Sequence, residues 1–317
     1  MTRRHLLAAS AATVLAPVGS SAEPAAPLIF FEPGTASQVA YEQAIGAGAD
    51  YLVAPVVLSQ DGALVVADLE LSAVTDIASH ARFAARRKDK TVLGAPMSGW
   101  FVDDFTLAEL KTLSTGPAAK RGAPPPTLLT LSEVIDIARA GSVREARVVG
   151  AAPRMMAAGY FSGAEVSLEA ALARQISVAG FDSPAAAMRV QSSEPAALKA
   201  FGGLSRARRV QLFSGRGFGL EGAKGVCEAV GVVENLIVED DAKGPMHAND
   251  FVASVHAAGL AVYAEFRPPA PHEPHGARER LTALFLAGVD GVMCADAALA
   301  ARARREAADR RNPPPPS

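Results

Sequence analysis

The chain has 317 residues, 50% hydrophobic and 20% charged, with a formal net charge of −2. That is enough apolar material for one sizeable core on the scale of a single α/β barrel, and no basic stripe of the kind nucleic-acid binding needs is present. The two cysteines, Cys227 and Cys294, offer no C-x-x-C metal spacing. They fit buried thiols better than a disulfide, and their pairing stays open.

In chain order, Arg3 and Arg4 precede an apolar run from Leu6 to Val18, and Ser20-Ser21-Ala22 supplies small residues for a cleavage site. This predicts a targeting segment over residues 1–22 and export to the periplasm or beyond. The run is shorter than the roughly 20 residues of a membrane span. Thr2-Arg3-Arg4-His5-Leu6-Leu7 is similar to a twin-arginine signal with His5 in place of the usual Phe; an ordinary secretory signal or an uncleaved anchor is the plainer alternative. Cleavage would leave 29 − 33 = −4 charges.

Short apolar runs then alternate with helical patterns. Strands are predicted at 28–31, 51–57, 147–150, 188–191, 209–213, 236–239, 260–266 and 291–294, most of them continuously hydrophobic, as strands buried on both faces are. Helical patterns fall between them, for example at 132–140, 168–179, 250–258 and 279–287, with Ser132 a candidate N-cap and Gly259 and Gly288 at helix ends. This alternation predicts a (β/α)₈ TIM barrel over residues 23–311, with a doubly wound open sheet as the alternative. Ser59-Gln60-Asp61-Gly62 predicts that Leu64–Val66 folds back on the second strand. Residues 71–126, without a clear strand, are predicted to be an insertion over the barrel mouth. The Pro-rich tail, 312–317, has nothing to bury.

Several segments carry a resemblance: Gly48-Ala49-Asp50-Tyr51, Leu58 to Gly62, Glu70-Leu71-Ser72, Thr75-Asp76, Gly99 to Lys111, Pro126-Thr127-Leu128, Ser132 to Asp136, Pro153, Tyr160-Phe161, Val190 to Pro195, His256 to Leu260 and Leu286 to Val292. Together, over nearly the whole mature chain, they resemble the periplasmic glycerophosphodiester phosphodiesterases. The resemblance implies hydrolysis of glycerophosphodiesters to glycerol 3-phosphate and an alcohol. It also implies a bound Ca²⁺ or Mg²⁺ held by carboxylates and two histidines that move protons.

Position by position, the pattern departs from that family. Its His-Arg-Gly falls on Phe31, Glu32 and Pro33, and its Glu-x-Asp on Val53 and Pro55. Its His-Asp falls on Ala67 and Asp68, and its Glu-x-Lys on Arg154 and Met156. Val, Ala and Phe neither ligate a cation nor transfer a proton, and Arg154 puts a fixed positive charge at a metal position. The expectation is a catalytically degenerate member with no metal cofactor, which binds a small ligand or a protein partner. Phe31, Val53, Ala67 and Arg154 should then cluster at the C-terminal end of the barrel.

The remaining polar residues allow two readings. Glu32, Asp68, Glu239, Asp240 and Glu265, with Arg154, Arg267 and Gln191, lie at predicted strand ends. They would form either a ligand pocket or a salt-bridge network in which Arg154 replaces the metal. The runner-up reading is an active, rewired phosphodiesterase that uses these carboxylates with His272 and His275, from the Pro-rich stretch after the seventh predicted strand. Ser214 to Gly219 is a weak match to a phosphate loop and is expected to be an ordinary flexible loop.

Overall fold

The structure is a computed structural model describing residues 26–117, 122, 124–213, 219–239, 246–270 and 275–312. The targeting segment, Ser214–Phe218, Asp240, His272 and the tail beyond Asn312 lie outside the described residues. No helix among the described residues is long and apolar enough to cross a membrane.

Eight parallel strands close on themselves. They are β1 Leu28–Phe31, β2 Tyr51–Leu58, β3 Gly150–Met155, β4 Arg189–Ser192, β5 Arg208–Phe213, β6 Ala229–Val233, β7 Ala261–Glu265 and β8 Gly291–Cys294. Closure is made by β1, which pairs with β8 at Leu28↔Gly291 and with β2 at Phe30↔Tyr51. The helices α1 Gln38–Gly46, α2 Leu131–Arg144, α3 Leu168–Val178, α4 Pro195–Gly202, α5 Leu220–Ala223, α6 Phe251–Ala257, α7 Ala277–Leu286 and α8 Ala297–Arg311 follow the strands in turn. This is the expected (β/α)₈ barrel, not the open sheet.

Three details differ from the sequence reading. The third strand begins where the predicted one ends, because Arg147 is spent on Asp50 and the carbonyls of Ile45 and Ala49 below the barrel. The sixth strand is Ala229–Val233. The predicted run at 236–239 makes a single turn and a two-residue strand paired with His247–Ala248. Both runs are apolar, and only the first lies between β5 and β7. Finally, α2 is capped by Thr130 instead of Ser132, in a capping box with Glu133.

Leu64–Val66 folds back antiparallel on β2, as its turn predicts, and is joined by Leu129–Thr130. The insertion contains a hairpin, Lys88–Val92 with Ala95–Gly99, where no strand is expected. Its strands are short and almost wholly exposed, so they carry no hydrophobic signature. Glu70 receives the Trp100 amide, Trp100 donates its indole N–H to the Phe83 carbonyl, and Lys111 bonds Glu133 at 2.6 Å. The insertion is thus tied to the barrel.

Two apolar layers stabilise the fold. One lies between strands and helices; the other fills the barrel with Phe30, Tyr51, Val53, Val210, Tyr263 and Met293 among others. Phe30 stacks on Tyr51 at 4.9 Å and tilts against Tyr263 at 4.6 Å. Such bulky side chains need small neighbours: a Cβ on Gly150 would stand 2.4 Å from the Tyr51 ring, and one on Gly231 2.5 Å from the Leu212 side chain. Glycine is kept at both positions by close packing.

Candidate ligand site at the barrel mouth

Alternation along each strand decides what reaches the mouth. On β1, Phe30 points into the barrel, so Phe31 points out, where it meets Tyr41 edge-on at 6.1 Å. Glu32 then turns inward. Phe31 therefore does not join the mouth, contrary to the expectation that all four motif positions cluster there; Glu32 takes that place. On β2, Val53 is fully buried in the interior layer, and Pro55 lines the mouth two residues above. Beyond the Leu64–Val66 strand, Ala67 and Asp68 line the same wall, as does Met156 after β3.

Arg154, the penultimate residue of β3, organises the site. Its two terminal nitrogens fork onto both oxygens of Glu32 at 2.5 and 2.9 Å, and its Nε donates to Gln191 Oε1 at 3.0 Å. Gln191 is opposite Arg154 in the β3–β4 register and is completely buried. Met293 Sδ lies 3.6 Å from the guanidinium. A bidentate pair seated on a buried amide has a defined orientation as well as a charge.

The pair divides the mouth into two hollows. One, of about 230 Å³, is bordered by Thr35, Pro55, Asp68 and Thr115 together with the Glu32–Arg154 pair. The other, of about 220 Å³, is bordered by Glu265, Arg267, Met293 and Cys294 with the same pair. Each is smaller than the roughly 300–1,000 Å³ of drug-sized ligand sites.

Asp68 and Glu265 stand one in each hollow. Asp68 is exposed on its outer side, yet desolvation by the surrounding wall raises its pKa; Arg154 opposes the shift and Glu32 adds to it. Glu265 is raised for the same reasons, with Arg267 also opposing. The arginine is committed to Glu32, so these two carboxyls feel it only at longer range. Burial pushes the Cys294 thiol up to about 12, so it is a poor nucleophile at neutral pH.

The mouth thus brings together Glu32, Asp68, Arg154, Gln191, Glu265 and Arg267. It does not include Glu239, which sits exposed on the side strand opposite His247. His275 is buried at the start of the α7 segment, 3.9 Å from Glu279, and lines neither hollow. Among the described residues, no three His, Cys, Asp or Glu side chains are grouped to hold a metal ion. Sequence reasoning missed Met293, Cys294, Thr35 and Thr115. Of these, only Met293 was within reach, because it lies two residues after the inward-facing Gly291 on β8.

Comparison with known proteins agrees with this architecture. A family model described as "Glycerophosphoryl diester phosphodiesterase family" matches residues 37–294. Glycerophosphodiester phosphodiesterase GDPD6 of Arabidopsis thaliana is 45% identical over 75 residues, 23% of this chain. That match spans only 20% of the relative's own length. A glycerophosphodiester phosphodiesterase from Agrobacterium tumefaciens shares the fold with a TM-score of 0.57 and 14% identity, over 87% of this chain and 99% of that one. An Oleispira antarctica phosphodiesterase, solved with the product sn-glycerol-3-phosphate, has a TM-score of 0.61 and 18% identity, over 87% and 96% of the two chains. With the family match running from the start of α1 to the end of β8, the chain belongs to the glycerophosphoryl diester phosphodiesterase family.

Proposed function

We propose that this family member binds a small ligand or a protein partner at its barrel mouth and does not hydrolyse glycerophosphodiesters. The observation that carries the reading is the Arg154 fork on Glu32. A guanidinium offers no lone pair and stays ionised, so it repels a divalent cation instead of ligating one. Glu32 is occupied by it, and Val53, Pro55 and Ala67 have no side-chain donor atoms. Asp68 and Glu265 stand in separate hollows. The residues at the mouth therefore do not fit the family's Ca²⁺ or Mg²⁺. The proton-transfer positions carry Phe31 and Ala67, which cannot replace histidine. We also propose export, which rests on the Arg3-Arg4 and Leu6–Val18 pattern.

The test is hydrolysis of glycerophosphocholine and glycerophosphoethanolamine, followed as glycerol 3-phosphate release with Ca²⁺, with Mg²⁺ and with chelator. No release above the buffer rate is expected in any arm. Metal-dependent release that disappears in His272→Ala or His275→Ala would replace this reading with a rewired enzyme.

A further inference from the structure

A third hollow lies on the flank of the barrel, between α2 and α3. Its volume is about 800 Å³, against about 230 and 220 Å³ for the two at the mouth, and it falls within the roughly 300–1,000 Å³ of small-molecule sites. Helical spacing makes it. On α3, Ala171, Arg174, Gln175 and Val178 recur at i, i+3, i+4 and i+7, and on α2 Ile135 and Arg139 form the facing stripe. Ala171 and Ala179 are too small to fill the gap between the helices. Buried Leu64 and Ile135 line its depth, while Val166 and Val178 line its rim and are 51% and 83% exposed. Among the described residues, no aromatic ring borders it.

Two arginines line this same hollow, and they are not equivalent. Arg139 is engaged: it meets Asp136 at 3.3 Å, donates to the Ala179 carbonyl and stands over the Phe181 ring at 5.2 Å. It thereby answers the C-terminal end of α3, where the helix dipole is negative. Arg174 has neither a hydrogen bond nor an ion pair among the described residues. Its helical neighbours at i−4, i−3, i+3 and i+4 are Ala170, Ala171, Ser177 and Val178, so α3 offers it no acid. Among the described residues, the only carboxylate on the lining is Asp61, on the turn at the mouth end. Its Oδ1 accepts the Ser59 hydroxyl and the Leu107 amide. The hollow is therefore aliphatic along its length, with an acid at the mouth end and an uncommitted cation toward the other.

We propose that this flank hollow is a second ligand site, separate from the mouth, that binds a fatty carboxylate, with the carboxylate forked onto Arg174 and the acyl chain running toward Val166 and Leu64. Each part of the assignment answers one observation. One uncommitted guanidinium matches a monoanion, and its fork fits the two oxygens of a carboxylate. Gln175, half-buried on the same lining, adds an amide donor beside it. The ring-free aliphatic lining matches an acyl chain, and a chain laid along it removes Val166 and Val178 from water. The charges set the direction: Asp61 repels the headgroup at the mouth end, and Arg174 and Arg139 attract it at the other. A merely solvated arginine needs no such surroundings, since its neighbours at i−3 and i+4 would then be polar instead of Ala171 and Val178.

The test is equilibrium dialysis of the full chain against radiolabelled decanoate below its micellar concentration, with decanol, decyltrimethylammonium and acetate as competitors. Decanoate should bind saturably. Decanol and decyltrimethylammonium should compete at least about tenfold more weakly than unlabelled decanoate, and acetate should not compete. Arg174→Glu should weaken decanoate binding at least about tenfold. Arg174→Lys, which keeps the charge and loses the fork, should fall between that variant and wild type. Val166→Asp with Val178→Asp should also weaken it, by wetting the rim. All three positions are exposed, so the variants should melt like wild type without ligand. None of them borders the mouth hollows, so their effect separates this site from a ligand at the mouth. Residues 1–22 are common to every variant and drop out of the comparison. Absence of saturable decanoate binding overturns the proposal. Decanol competing as well as decanoate overturns it too, because the arginine then recognises nothing. An unchanged decanoate affinity in Arg174→Glu places the binding elsewhere and overturns it as well.

Discussion

The two ends of the barrel use acidic residues in opposite ways. At the N-terminal end every motif acid is satisfied. Asp50 Oδ2 accepts the Ile29 amide at 2.9 Å and Arg304 at 2.7 Å, and Oδ1 faces Arg147 at 3.3 Å. Asp290 accepts the Val262 amide at 2.7 Å and meets His256 at 2.8 Å. These bonds tie β1 to β2 and β7 to β8. At the C-terminal end, three carboxyls surround one committed arginine, and two of them are pushed toward protonation. The contrast assigns the Gly48-Ala49-Asp50 and Gly288-Val289-Asp290 segments to holding the strands in register. It leaves the mouth as the part whose charges are not optimised for stability, as in barrels generally, where function gathers at that end.

The largest expected effect lies at the bottom. Asp50→Ala removes the acceptor of two arginines and one backbone amide. It should cost about 3 kcal/mol, since hydrogen bonds to charged groups contribute about 1.5–3 kcal/mol each and the arginines can partly rehydrate. Denaturant unfolding with an unchanged m-value measures it. At the mouth, Arg154→Ala should cost less, about 1–2 kcal/mol, because the Glu32 left behind is 38% exposed and regains water instead of staying buried and unpaired. Arg154→Glu should be worse than Arg154→Ala, because it sets two carboxylates against each other. Calcium should not raise the wild-type melting temperature. If Arg154→Ala proves costlier than Asp50→Ala, the mouth pair is structural and the contrast between the two ends fails. If calcium stabilises the wild type, Arg154 does not replace a cation.

Much of this was legible in the sequence, for identifiable reasons. Parallel strands buried on both faces give continuous apolar runs, so β1, β2, β5, β7 and β8 could be placed to within a residue or two at most ends. The sixth strand was misplaced because Ala229–Val233 and Leu236–Glu239 are equally apolar, and only the neighbouring strands distinguish them. The hairpin was invisible because its exposed residues show no alternation. Arg154, Gln191 and Glu32 could be named as candidates, but their convergence needs the barrel to close. The outward turn of Phe31 followed from period-two alternation once Phe30 was known to face inward, and nothing local in Phe30-Phe31-Glu32 distinguishes the two rings. Glu239 was included on the strength of the wrong strand.

The smallest effect tests the contrast most sharply, because its sign is opposite at the two ends. Asp68 and Glu265 have folded pKa values above their unfolded ones. Between those values the folded state binds more protons than the unfolded chain. Their contribution to stability therefore falls as pH rises from the unfolded value through the folded one, and the penalty is fully present at neutral pH. Asp68→Asn and Glu265→Gln should remove that penalty. Each should stabilise the protein at neutral pH by well under about 1 kcal/mol, Asp68→Asn by less than Glu265→Gln, because Asp68 is exposed and Glu265 only half-buried, and water screens both. Elsewhere, Asp104 and Glu133 are held below the usual carboxylate range by their lysines despite burial, and they lose stabilisation as acid protonates them. The whole protein still weakens at low pH, so the informative quantity is variant minus wild type. That difference should be favourable at neutral pH and shrink toward zero on acidification. Asp50→Asn at the other end should be unfavourable at neutral pH, because its amide cannot serve two arginines and a backbone amide together. A difference for the mouth variants that is unfavourable at neutral pH would mean that Asp68 or Glu265 is an ion-pair partner of Arg154 or Arg267. The two ends of the barrel would then follow the same electrostatic design.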